Sequence, residues 1–395
     1  MLLVGSNIPQ VNVVGARTEL VSSAYTDTVG SYNSRPFARK LTSSLAVFGY
    51  CRGGTSENAG TVVGVGISGT TITPDESSRT DIKSLISGWN DSSNSAINTG
   101  LRYSDTSIVI PKQGAVDGTN TRQLARLTYN SGAAFTANAN NYIQTADSIK
   151  SMEIRDIDGT YGLMAWDSIN GAGTAGYIRI AVCNLSGASV GTVYNISTGS
   201  SGARVRNLIV LDSTYAIVVY ALGSDLQARL ITMSGTTISS VGSAVTVTSV
   251  VTGYGVSAEK ISSTLAYIYV NQGNYPTDNH IRAYPVTLSG GALSVGTSFI
   301  AVNNTAASNN APSNYLLPVP LGAGAACFYS DPDDSYYPYF VYRVGAEFVN
   351  RYKLFNDANV KILDAIALTN NKILMVYAET RGTSAPIYSR IITLK

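Results

Sequence analysis

One phrase recurs along this chain, a short apolar or β-branched run that closes on an aromatic ring. It reads Ser44-Leu45-Ala46-Val47-Phe48-Gly49-Tyr50, then Tyr161-Gly162-Leu163-Met164-Ala165-Trp166, then Tyr215-Ala216-Ile217-Val218-Val219-Tyr220. It returns as Leu265-Ala266-Tyr267-Ile268-Tyr269, Ala325-Ala326-Cys327-Phe328-Tyr329 and Lys372-Ile373-Leu374-Met375-Val376-Tyr377, with a weaker copy at Thr106-Ser107-Ile108-Val109-Ile110. After each comes a loop, a second strand and a tight turn, marked by Ser68-Gly69, Ser131-Gly132, Ser186-Gly187, Ser234-Gly235, Ser289-Gly290 and Val344-Gly345. Helical periodicity is almost absent, and Gly, Ser, Asn and Asp punctuate short strands. The mean step between turn glycines is about 55 residues, a little above the ~20–50 typical of solenoids and propellers.

Four short strands per unit select a propeller over a solenoid. Seven units account for all 395 residues, although that length on its own suggests two domains. The expectation is therefore an all-β, seven-bladed β-propeller with four-stranded blades, a single domain over 1–395. Closure is also readable. The outer strand after the turn often begins with a Val-Gly pair, at Val190-Gly191, Val241-Gly242 and Val295-Gly296, and the seventh unit reaches Lys395 with no outer strand left. Val4-Gly5-Ser6-Asn7-Ile8 matches Val241-Gly242-Ser243-Ala244-Val245. Residues 1–14 are thus expected to complete the last blade, with blades of about 55 residues running from 15 to 395. An N-terminal strand in that place removes a raw sheet edge.

Composition narrows the function classes. Charged residues are 13% of the chain, against the usual ~25%, while hydrophobic residues at 44% exclude global disorder. A net charge of +2 gives no basic field for bulk nucleic-acid or membrane attraction. Cys51, Cys183 and Cys327 are odd in number and far apart, so neither a disulfide framework nor a zinc site is indicated. His280 is the single histidine. The N-terminus lacks a basic region and a long apolar stretch, so no secretory signal is read, and Leu316–Phe328 is too short and proline-broken to span a membrane. Synthesis in the cytoplasm and release by lysis or a dedicated machine is the resulting expectation.

Candidate chemistry meets simpler readings. Asp156-Ile157-Asp158-Gly159 resembles the start of a calcium loop, but its counterparts in other units are turn formers in the hairpin before the central strand. No metal and no cofactor are expected. Six third strands carry an arginine: Arg126, Arg179, Arg229, Arg282, Arg343 and Arg390. Each stands an even number of residues from its turn, so all share one strand face, and the expected role is structural. A second basic set, including Arg35, Arg39, Arg102, Arg155, Arg204 and Arg206, falls on the innermost strands with Glu153, Glu259 and Asp364. It reads either as a charge-paired channel or as an axial site for an anion. The second-to-third loops vary most in length and share a rim with the blade crossings, including Asp75–Asn98 with Trp89. Variable loops on a rigid scaffold are where recognition concentrates. The densest patch is Asp331, Asp333, Asp334, Tyr336 and Tyr337, with Tyr275 and His280 expected beside it from the previous unit.

The turn phrases Ile67-Ser68-Gly69-Thr70-Thr71-Ile72 and Met233-Ser234-Gly235-Thr236-Thr237-Ile238, each leading through a strand to the next aromatic-ended run, resemble the repeats of bacteriophage virion and tail-fibre propellers. No repeated WD dipeptide, kelch double glycine or S-x-D-x-G-x-T-W sialidase box runs through the units. The resemblance implies a non-enzymatic virion component, tail-associated and present in multiple copies, that contacts other virion proteins or a host-surface glycan. It departs from a trimeric fibre in having no shaft or coiled coil. A glycan-active enzyme and an intracellular interaction scaffold are the alternatives. The expected partners include neither nucleic acid nor an inserted membrane.

Overall fold

The computed structural model describes residues 9–25, 36–51, 60–85, 99–116, 119–144, 151–169, 176–199, 202–249, 255–274, 278–303, 316–331, 334–379 and 384–395. It is all-β apart from the one-turn helix Ile82–Leu85. Seven antiparallel four-stranded blades form a ring, a seven-bladed β-propeller. The innermost strands are Phe37–Thr42, Leu101–Arg102, Met152–Asp156, Arg204–Val210, Val256–Lys260, Leu317–Leu321 and Lys361–Thr369, in blades 1 to 7. Blade 4 is representative: Arg204–Val210, Tyr215–Leu222 and Asp225–Ser234 pair in sequence, and Thr237–Val241 with Val245–Thr248 form its outer edge.

Burial explains why the central strands read as near-continuous apolar runs. Each blade is covered on both faces, so period-2 alternation is lost. The core divides into seven clusters, one in each wedge between neighbouring blades. The wedge between blades 7 and 1 holds Leu20, Phe48, Tyr50, Leu374, Val376 and Ile387, and its existence closes the ring. The repeat aromatics Tyr50, Trp166, Tyr220, Tyr269, Tyr329 and Tyr377 are among the largest fully buried side chains. Cys183 and Cys327 are buried as expected, and burial pushes the Cys183 thiol up to about 12.

Two details of the repeat differ from the sequence reading. In blade 5 the Ile261 N–H donates to the Leu265 carbonyl as Leu211 does to Tyr215, so Val270, not Tyr269, stands where Tyr220 stands. Tyr269 is one residue early and therefore faces blade 6, whereas Tyr220 faces blade 3. The turn after Gly187 is also shifted. Its left-handed residue is Ala188 (φ 48°), while Asn184 Oδ1 accepts from the Ser186 and Gly187 N–H groups. In the Ser68, Ser234 and Val344 turns the glycine takes φ of 61°, 58° and 59° at the first central position, the type II′ pattern that suits a twisted hairpin.

The N-terminal closure holds, with a corrected register. Val11–Val14 and Thr18–Tyr25 both pair with Ser384–Leu394 as the outer edge of blade 7. The Val-Gly pair at this place is Val14-Gly15, because the Gly15 N–H donates to the Ile391 carbonyl at 2.7 Å. Gly191, Gly242 and Gly296 likewise donate to Val182, Leu230 and Pro285. Val4-Gly5 lies outside the described residues. The contribution to blade 7 extends past residue 14 to Tyr25, which also bridges to Cys51 and joins blades 7 and 1 in one sheet. Part of the expected Asp75–Asn98 crossing is strand too, since the outer strand of blade 1 runs Thr71–Asp81.

The third-strand arginines act at these joints. Arg229 donates to Tyr220 Oη and to the Gly242 carbonyl, and Arg390 repeats the arrangement with Tyr377 Oη and the Gly15 carbonyl. Arg343 instead crosses to blade 5 and grips buried Glu259 with two bonds of 2.6 and 2.8 Å.

Two stability tests follow from these contacts. A Cβ on Gly15 would stand 2.8 Å from the Thr70 carbonyl of blade 1, whereas one on Gly242 meets nothing nearer than 3.6 Å. Gly15→Ala is expected to cost about 1–3 kcal/mol by forced overlap, and Gly242→Ala to stay within about 0.5 kcal/mol, measured by urea denaturation. Equal effects would disprove the close approach. Arg343→Ala leaves Glu259 buried without its counter-ion and is expected to cost about 3–5 kcal/mol. Adding Glu259→Gln should recover part of that loss in the same measurement.

Candidate functional site

The loop-bearing rim has its best-defined surface on blade 6. The second strand Gly324–Asp331 ends there, and the third, Tyr337–Val344, begins after a short loop. Ser335 and Tyr336 both take the left-handed conformation, φ 49° and 58°. Three backbone bonds fix them: Tyr336 N–H to the Asp331 carbonyl at 2.7 Å, Asn359 N–H to Ser335, and Val360 N–H to Tyr336. The last two tie the loop to the crossing into blade 7. Backbone strain held by several contacts is a recurrent property of binding loops.

Side chains complete the surface. Asp334 Oδ2 accepts from Tyr339 Oη at 2.8 Å and from Lys353 Nζ at 3.1 Å, and Lys353 caps the Tyr337 ring 3.1 Å from its centroid. Arg351 lies over the Tyr339 ring at 4.6 Å and pairs with Asp331, whose carboxylate is fully buried. Tyr339 in turn stacks on Tyr329 at 5.8 Å. Alternating cations and rings therefore line the blade-5 face of blade 6 at its rim end, an arrangement that stabilises exposed aromatics.

Electrostatics follow the geometry. Bonds from Tyr339 and then Lys353 hold the Asp334 carboxyl below its usual value, while burial and then Asp334 push the Tyr339 phenol up to about 12.

Of the sequence-predicted residues, the structure brings Asp331, Asp334, Tyr336 and Tyr337 together. Trp89, Tyr275 and Asp333 lie outside the described residues. His280 is not part of the patch. Its neighbours Ile281 and Ala283 pack toward blade 6, so strand alternation turns His280 to the other face with Tyr284, toward blade 4. The sequence reading missed Tyr339, Arg351 and Lys353. Their alternation with Tyr337 on paired strands was the available signal.

The axial residues divide. Arg155 lines a cavity of about 150 Å3 on the ring axis, to which all seven blades contribute. It pairs with Glu153 at 2.8 Å, and Arg39 pairs with Asp364 at 2.9 Å across the blade 1–7 seam. Arg204 pairs at 3.3 Å with buried Asp167, whose carboxyl is raised by burial. Arg102 donates to the Leu41 carbonyl and pairs with Asp105 beside the hairpin on the opposite rim. Arg206 sits where the innermost strand of blade 4 bulges between Val205 and Asn207. The Asp156 and Asp158 carboxylates accept from the Gly159, Thr160 and Tyr161 N–H groups, as hairpin-turn formers do.

No protein-family model matches the chain, and no curated protein matches it. Solved structures do. The chain is similar to the Dos1 propeller (12% identity, TM-score 0.53, covering 95% of each chain). It is also similar to the α-L-arabinofuranosidase Arb93A from Fusarium graminearum (9% identity, TM-score 0.52, covering 96% of this chain and 98% of that one). An acylaminoacyl peptidase from Pyrococcus horikoshii aligns over 91% of this chain at 10% identity, and the chain spans about half, 51%, of that protein (TM-score 0.45). At such identities the likeness to the Dos1 propeller and to Arb93A is one of propeller fold alone, without bearing on activity.

The Asp334–Tyr339 bond gives a pH test. Because the Asp334 carboxyl is depressed, its contribution is fully present above the ordinary ~3.9 and is lost as pH falls through the lower folded value. On the alkaline side, Asp334→Asn should lower the Tyr339 titration midpoint from about 12, followed by 13C NMR of labelled tyrosine rings. An unchanged midpoint would mean that the bond does not form in solution.

Proposed function

We propose that this propeller is a non-catalytic recognition component of a bacteriophage particle, attaching through its long-loop rim to a host-surface glycan or to a neighbouring virion protein. The particle context rests on the repeat-level resemblance of the turn phrases. The working surface rests on blade 6, and one observation carries it: Ser335 and Tyr336 are held in left-handed conformations by bonds from the crossing into the next blade. Such preorganisation reduces the ordering cost of binding. Tyrosine adds large, rigid contact area with a polar tip. The Asp334 carboxylate and the Lys353 ammonium beside it offer an acceptor and a donor to hydroxyl groups.

Two measurements test this reading. Mass spectrometry of purified particles should find the chain, in several copies per particle. Adsorption to host envelope polysaccharide, or capture of a virion protein, should weaken at least about 30-fold in the double variant Tyr336→Ala, Tyr337→Ala, since hot-spot truncation costs ~2 kcal/mol or more. Its melting temperature should stay close to that of the parent. Substitution at the Ser234-Gly235 turn on the opposite rim is the control. Loss from the control alone would place the working surface on the other side of the ring. Depolymerisation of the polysaccharide would favour the glycan-active alternative.

A further inference from the structure

The innermost strands carry more cations than carboxylates, and two of those cations, Arg39 and Arg155, line the ring axis. The strands hold eight cationic side chains and four carboxylates, in a chain whose net charge is +2. One of the four, Glu259, is committed to Arg343 from a third strand, while Arg102 and Arg204 are met by Asp105 and Asp167 from outside these strands.

Two guanidinium groups line the axial cavity, together with the Glu153 and Asp364 carboxylates that hold them. Arg39 is fixed by donation to the Gly100 and Ala38 carbonyls and to Asp364, and Arg155 by the Ile154 carbonyl and Glu153. Each leaves its Nη2 with a single long contact among the described residues. Arg39 Nη2 stands 3.4 Å from Thr99 Oγ1, and Arg155 Nη2 stands 3.4 Å from Asn207 Oδ1. Guanidinium nitrogens each carry two hydrogens at this position, so strong donor capacity remains on both. Both groups line the one cavity, and after burial the Arg155 charge is the larger of the effects that lower the Arg39 pKa. An oxyanion between them relieves that repulsion and takes charge-assisted bonds from both sides.

We infer that the axial cavity binds a small oxyanion, a carboxylate or a phosphate, between the Nη2 groups of Arg39 and Arg155. The cavity volume of about 150 Å3 limits the ligand to a small molecule or to the terminal anionic group of a larger one. Thr99 and Asn207 supply further polar contacts at its edge. This site is separate from the blade-6 rim and stands or falls independently of it.

Isothermal titration of the full chain with inorganic phosphate, and separately with malonate, tests the inference against sodium chloride of matched ionic strength. One saturable site with a Kd of about 1 mM or tighter is expected for at least one probe, and the tighter probe identifies the ligand type. Arg155→Gln should weaken binding about tenfold or more, the loss of a hydrogen bond to a charged group, with the melting temperature retained. Heats no larger than those of chloride for both probes, or parental affinity in folded R155Q, would overturn the site. If R155Q does not fold, a crystal structure of the parent chain with phosphate decides. Phosphate between Arg39 and Arg155 supports the inference, and phosphate elsewhere or nowhere rejects it.

Discussion

Every blade of this propeller depends on burial of both faces of its sheet against its neighbours. Seven apolar clusters fill seven wedges, and no wedge is left over. Since a fully buried aliphatic or aromatic side chain contributes about 1.5–3 kcal/mol, an open wedge would expose a whole cluster at once. The chain ends therefore carry the constraint. Val11–Val14 and Thr18–Tyr25 supply the edge that blade 7 lacks, and Leu20 enters the cluster that seals blade 7 to blade 1. Arg390 reinforces the seam by joining Tyr377, Asp357 and the Gly15 carbonyl from three separate segments.

The wedge between blades 5 and 6 solves the same problem differently. With Tyr269 turned toward blade 6, it gathers Tyr267, Tyr269, Tyr329, Tyr339, Phe299 and Phe348. Larger rings leave room for a polar group, and Glu259 occupies it, accepting from Tyr269 Oη and from Arg343. Burial drives the Tyr269 phenol and the Cys327 thiol well above their usual values, so both stay neutral beside the pair. A buried pair is no general source of stability, but this one joins the third strand of blade 6 to the innermost strand of blade 5. The same stack of rings continues outward through Tyr329 and Tyr339 to Arg351, so the rim surface of blade 6 stands on an aromatic wedge of the ring.

Fold and site were legible in the sequence to different depths. Blade number followed from the aromatic-ended phrase because it marks a buried strand, and burial is what the repeat conserves in its own copies. Matching phrases by their last aromatic failed in blade 5, where Tyr269 and Val270 exchange roles and only the backbone pairing of Leu265 with Ile261 sets the register. The closing strand was foreseen, but Val4-Gly5 and Val14-Gly15 are equally good copies of the motif. Val14-Gly15 takes the place through the Gly15 N–H bond to the Ile391 carbonyl, a tertiary fact. At the rim, Tyr336, Tyr337 and Asp334 were visible as a composition. The partners Arg351 and Lys353 arrive from the outer strand, and His280 points away because a strand's parity cannot be read from loop proximity.

The perimeter shows a complementary use of the Val-Gly motif. In blades 3, 4, 5 and 7 the outer strand breaks after valine, and the glycine N–H bonds back to the third strand before pairing resumes. Blades 1, 2 and 6 keep one continuous outer strand each. A break limits the length of straight, unpaired edge on offer to another chain, which is how sheet proteins resist edge-to-edge association. At Gly15 and Gly191 the break also admits the turn of the following blade, since an added Cβ would meet the Thr70 or Thr236 carbonyl at 2.8 or 3.3 Å. One small residue thus ends an edge and seats a neighbour.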